Sequence, residues 1–203
     1  HIKRRHENRN LFSFSFKDRV ALHYIISTGL LISVVFFVIY QIIDHSVNTH
    51  INDNIQTEVQ KHLEEIEIDR NNTYLIQVDQ WRAREHNTVN VNPVFVQFFD
   101  INNQLIDKSP NLKGLQLKMY PAELNNKLID TYLNNKPIRQ IQVPLLDKNR
   151  VIGFLFIAMS LDDATMVLIN LRDVFFISFP LILLVLFLIA RLIAGRSIKP
   201  VTI

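Results

Sequence analysis

The stretch Ile138–Leu161, IRQIQVPLLDKNRVIGFLFIAMSL, decides how this chain is read. Two apolar runs are separated by Asp147, Lys148 and Asn149, residues that favour a tight turn, so the stretch predicts a β-hairpin. Successive side chains of a strand point to opposite faces. Val151, Gly153, Leu155, Ile157 and Met159 therefore share one side of the second strand, and Ile152, Phe154, Phe156, Ala158 and Ser160 the other. Both sides are largely apolar, as expected of a central strand covered on both faces. The next residues, DDATMVLINLRD, read as a helix with Asp162 or Asp163 as N-cap. No Gly or Pro separates it from the apolar run that begins at Val174.

That run, Val174–Ala190, has 15 apolar residues of 17 and continues through Arg191 to Ala194; the arginine can snorkel to an interface. A second apolar block, Val20–Ile43, has 18 apolar residues of 24 and no Asp, Glu, Lys or Arg. At about 1.5 Å rise per residue either block reaches across a hydrocarbon layer of roughly 30 Å. Val20–Ile43 is too long for the apolar core of a signal peptide, and no small-residue cleavage site follows it. Both blocks are expected to be transmembrane helices. Lys3, Arg4, Arg5, Arg9, Lys17 and Arg19 precede the first, and Arg191, Arg196 and Lys199 leave the second, whereas residues 44–173 carry 13 basic and 17 acidic residues. The positive-inside bias predicts cytoplasmic ends and an exported middle. The expected organisation is a basic leader (1–19), a first span (20–43), an exported domain (44–173), a second span (174–194) and a cytoplasmic stub (195–203). The basic leader is explained by the membrane surface, and nucleic acid is not an expected partner. Cysteine is absent, which excludes disulfides and thiolate metal sites.

Within the exported segment, residues 44–70 lack Gly and Pro and place Val47, Ile51, Ile55, Val59, Leu63 and Ile66 at mostly four-residue steps. A helix continuing out of the membrane is predicted, with a stripe that winds because each step of four overshoots a turn by about 40°. TYLIQVDQWRAREHN (residues 73–87) reads as a second amphipathic helix. NPVFVQFFDINNQLIDKS reads as strand, tight turn and strand. YPAELNNKLIDTYLNNK reads as a helix with Pro121 in its first turn and Leu124, Leu128 and Tyr132 on one face. Trp81, Phe95, Phe98 and Phe99 are expected core aromatics. A mixed domain with helices at both ends follows.

The parts together resemble the sensor half of a bacterial transmembrane histidine kinase: basic leader, membrane helix, exported domain ending in VIGFLFIAMSLDD, second membrane helix, and RSIKPV. The stub is similar to the first turns of a HAMP linker, with Pro200 at that family's proline and Ile198 and Val201 as packing positions. The resemblance implies an α+β membrane protein in which two transmembrane helices flank an extracytoplasmic PAS-like or Cache-like antiparallel sheet. It also implies the bacterial inner membrane, a homodimer, an unidentified small ligand or ion outside, and signal transmission through Pro180, Ile198, Pro200 and Val201. A first residue other than Met and a last residue inside the linker suggest a piece of a longer receptor. The kinase portion of the family, which binds ATP and Mg and addresses a response regulator, would lie beyond Ile203. Four dispersed glycines form no ATP loop, so no catalytic residue or cofactor is expected within the 203 residues. A chemotaxis-type transducer or a cyclic-dinucleotide enzyme would share this front end, and a non-enzymatic bitopic interaction protein is a further alternative.

Two constellations carry candidate stimulus chemistry. Arg82, Arg84 and His86 would clamp an anion or carboxylate. Glu58, His62 and Glu65, at i, i+4 and i+7 of the predicted stalk, would present divalent-metal ligands on one helical face; the ordinary reading of both sets is a solvated surface. Ser109, His86 and Asp107 lack nucleophile-elbow spacing and predict no hydrolase.

Overall fold

The computed structural model describes residues 16–68, 74–76 and 93–196, and for residues 16, 17, 65, 67, 68, 74–76 and 194–196 their backbone alone. They fall into two units, one formed by residues up to Ile42 and from Asn170 onward, the other by Ile43–Ile169. Helix α1 spans Phe16–Glu65 and helix α2 spans Asp162–Arg196, so each helix contributes to both units. Both are long and apolar enough to cross a membrane, and their most apolar stretches are almost wholly unburied.

In the helical unit the two helices approach closely at Gly29, where an added Cβ would lie 3.2 Å from Leu183 Cδ2. Phe36 meets Phe175 edge-on at 4.4 Å between ring centroids, and Phe175 stacks on Phe179. Pro180 sits inside α2, where its missing N–H removes one backbone bond without ending the helix.

The second unit is built on an antiparallel sheet. Its strands are β3 (Val94–Asp100), β4 (Leu105–Lys108), β5 (Leu128–Leu133), β6 (Lys136–Asp147) and β7 (Arg150–Ser160), in the order β4-β3-β7-β6-β5. The β6–β7 hairpin forms as the alternation predicts, with Asp147 opposite Arg150 and Lys148 and Asn149 both at positive φ, as a two-residue primed turn requires. β7 is central and apolar on both faces. On one face Val96, Phe98, Ile141, Val143, Leu155 and Ile157 pack against Ile55 and Val59 of α1. On the other, Phe95, Phe99, Ile138 and Phe156 lie under Leu112 and Leu117, from the irregular segment between β4 and β5.

The winding of the α1 stripe is resolved by one shorter step. Ile55 and Val59 are buried, but Leu63 is 40% exposed; His62 is buried at 2%, and Ile66 then packs on the core. A step of three at His62 turns the stripe back by about 60°, against about 40° gained at each step of four.

Three expectations are corrected. The stalk helix stops at Glu65, and Ile66–Ile68 forms strand β1, paired antiparallel with β2 (Tyr74–Ile76), so the start of the second amphipathic piece is strand rather than helix. The residues following it, Trp81 included, lie outside the described residues. The helix expected from Pro121 to Tyr132 is a short 3₁₀ turn at Ala122–Leu124 followed by β5. Asn126, Asn134 and Asn135 all have positive φ, which breaks a helix and makes a primed turn into β6, so pairing along Leu128–Ile141 overrides the four-residue spacing. The leading amide of α2 is bonded by Ser160 Oγ at 3.2 Å, and Asp162 and Asp163 lie inside the first turn rather than capping it.

Candidate functional site

A cleft of about 540 Å³ opens beside the β5–β6 turn, a size that accommodates a small molecule. Its floor is apolar, with Phe95, Leu112, Leu133 and Ile138; Lys113, Lys136 and Asp163 stand on its rim, and Met166 of α2 closes one side.

The sequence builds each wall for a stated reason. One wall rests on a buried corner at the end of β4: Ser109 Oγ accepts the Val96 N–H at 3.0 Å and donates to Asn111 Oδ1 at 2.6 Å, and Asn111 Nδ2 donates to the Val94 carbonyl at 2.8 Å. Polar groups buried here are satisfied, which fixes Leu112 and Lys113 at the cleft. The Ser109 hydroxyl is thereby engaged in the corner, and the Asp107 carboxylate accepts the Lys108 N–H; His86 lies outside the described residues. The opposite wall is the junction of sheet and helix. The Leu161 N–H donates to the Pro137 carbonyl at 2.9 Å, and Lys136 Nζ lies 3.6 Å from Asp162 Oδ2. That ion pair is well exposed, and such pairs contribute below about 1 kcal/mol; the Pro137 bond is the firmer tie.

A smaller cleft of about 280 Å³ lies between the C-terminal part of α1 and the start of α2, lined by Ser46, His50 and Asn54 on one side and Asp163, Ala164 and Val167 on the other. His50 Nε2 is 3.2 Å from Asn54 Nδ2. Asp163 faces both clefts.

Of the residues singled out by sequence, Glu58 and His62 come together, with Oε2 and Nε2 3.6 Å apart. The Glu65 side chain lies outside the described residues. Among the described residues no three His, Cys, Asp or Glu side chains are gathered to hold a metal. Arg82, Arg84 and His86, and the linker positions Ile198, Pro200 and Val201, also lie outside the described residues. The cleft itself draws on residues that sequence reasoning passed over: Lys113 has no predicted role, and Asn134 and Lys136 fall at the end of a stretch that reads as helix.

Comparison with protein-family models, with curated proteins and with solved structures finds no match for the chain.

Proposed function

We propose that the chain is the sensing region of a bacterial membrane-bound histidine kinase, receiving a stimulus in the Ile43–Ile169 unit and passing it through α1 and α2 to a HAMP linker and kinase. The observation that carries this reading is the composition of the cleft wall. Asp162, Asp163 and Met166 line the cleft, and they begin the helix that continues as an apolar span to Ile193. Anything that fills or empties the cleft bears on the first turn of that span. No Gly or Pro softens the chain between Ser160 and Phe179, so displacement of the sheet loads the helix directly. Two packings separated by a few kcal/mol then suffice for a switch, provided the stimulus binds them unequally. In this reading the protein is a homodimer in the inner membrane with an unidentified small ligand outside, and ATP, Mg and the response regulator belong to the kinase portion.

Two measurements test it. A reporter active only in the cytoplasm is expected to be silent when fused at Asn87 and active when fused after Ile203; activity at Asn87 ends the two-span reading. In a chimaera joining Ile203 to a HAMP linker and kinase, Met166→Trp, which places a bulkier side chain in the cleft wall, is expected to change the basal autophosphorylation rate. An unchanged rate counts against the cleft as the input site.

A further inference from the structure

Four consecutive residues of one strand, Lys136 to Arg139, touch the cleft and both long helices. Lys136 and Pro137 hold the start of α2 through Asp162 and the Leu161 N–H. Ile138 lies on the floor of the cleft. Arg139, on the opposite face of β6, reaches α1.

All three guanidinium nitrogens of Arg139 donate. Across the β5–β6 pairing its guanidinium grips Asp130 by two bonds, Nε to Oδ1 at 2.6 Å and Nη2 to Oδ2 at 2.9 Å. Nη1 donates to Asn52 Oδ1 at 2.8 Å, and Nη2 also donates to Asn48 Oδ1 at 3.0 Å. Asn48 and Asn52 are one helical turn apart on α1, so the fork spans a turn of that helix. The Asn48 amide is itself oriented, because its Nδ2 donates to the Asp44 carbonyl at 2.9 Å and to Asp44 Oδ1 at 3.2 Å. Its oxygen is left for the arginine. The side chain of Arg139 is only 13% exposed, and the bond to Asp130 raises its pKa, against the lowering effect of burial, with the charges of Asp130 and Asp44 adding to the rise.

We propose that residues 136–139 are a yoke: the start of β6 couples the cleft to α2 through Pro137 and Lys136 and to α1 through the Arg139 fork, so that a shift of this strand end moves both helices. Transmission by way of α2 alone needs no such fork. The proposal rests on the sensor reading for its purpose but not for its test.

Because the chain has no cysteine, paired cysteines at the exposed positions Thr49 and Lys127 allow spin labelling of the whole chain in nanodiscs and a distance measurement between α1 and the sheet. The parent is expected to give a single narrow distance. Arg139→Met is expected to lose it, giving a broadened or second distance, and Arg139→Lys is expected not to restore it, since an ammonium keeps the charge but not the fork. Should Arg139→Met fail to fold, Asn48→Ala with Asn52→Ala removes the helix side while the Arg139–Asp130 pair stays in place; the same loss is expected. A single unchanged distance in the asparagine double variant overturns the yoke. In the kinase chimaera the double variant is also expected to change basal output. Lost distance with unchanged output upholds the joint and counts against the sensor reading, so the two failures are distinguishable.

Discussion

The two faces of the sheet are covered by opposite means. Against α1 the sheet presents aliphatic and aromatic side chains, with Ile55 and Val59 set among Val96, Phe98, Leu155 and Ile157. Against the segment between β4 and β5 it presents, beside Phe95, Phe99, Ile138 and Phe156, three buried glutamines, Gln97, Gln140 and Gln142. Gln97 Oε1 accepts the Leu117 N–H, Gln140 bonds both the N–H and the carbonyl of Lys118, and Gln142 does the same for Tyr120 while reaching Asn125 Oδ1. A helix satisfies its own backbone, so an apolar surface suffices to cover it. An irregular segment does not, and every buried amide must find a partner. The strands that face it, β3, β7 and β6, are already paired on both sides, so the partners come from side chains that imitate a peptide group, and glutamine is the residue that offers both a donor and an acceptor at the right reach.

The largest expected effect breaks the apolar face. Phe98→Ala removes a fully buried ring from the α1 side and is expected to cost ~3–5 kcal/mol, read as a lower thermal midpoint by near-UV circular dichroism in nanodiscs. On the glutamine face, Gln142→Leu keeps the volume but removes three hydrogen bonds and leaves the Tyr120 backbone without its partners. The expected cost is ~1–3 kcal/mol. The two losses should also differ in kind. Amide hydrogen exchange at Lys118 and Tyr120 is expected to accelerate in Gln142→Leu while β3, β6 and β7 keep their protection, because the covering segment lets go before the sheet does. Uniform acceleration would show that the segment is no separate unit. Gln97→Leu sharpens the same point: it loses one bond, to Leu117, but also removes a buried Nε2 that has no partner among the described residues. These terms offset, and the net cost is expected below about 1 kcal/mol, smaller than for Gln142→Leu in parallel melts.

What the sequence disclosed follows the same division. The β6–β7 hairpin and the β3–β4 pair were legible because their partners are neighbours in the chain and their turns carry Asn and Asp. The aliphatic face was legible too, since Ile55 and Val59 announce themselves by spacing. β5 was misread because Leu124, Leu128 and Tyr132 keep a four-residue interval; Tyr132 is in fact 73% exposed, on an edge strand. The glutamine face was invisible, because a glutamine in an alternating strand reads as solvent-facing until a covering segment is known. The Arg139 fork was invisible for a related reason: its helix partners lie 87 and 91 residues away. The clamp expected of Arg82, Arg84 and His86 cannot be compared with it, as those residues lie outside the described ones.

The smallest expected effect concerns pH, and it is an absence of slope. The glutamines do not titrate, and the Arg139 guanidinium, which ties the sheet to α1, has its pKa raised by its bond to Asp130. A basic group whose folded-state pKa lies above its unfolded value contributes stability that is fully present below the unfolded value and lost only as pH climbs through the folded one. For arginine both values are far above neutrality. The stability difference between the parent and Arg139→Met is therefore expected to stay constant across neutral and mildly alkaline pH, as is the difference between the parent and Gln142→Leu. Melting each pair in a series of buffers checks both at once. A difference that changed with pH only for Arg139→Met would mean that a neighbouring group titrates with the fork, and the α1 side would then be the pH-sensitive covering of the two.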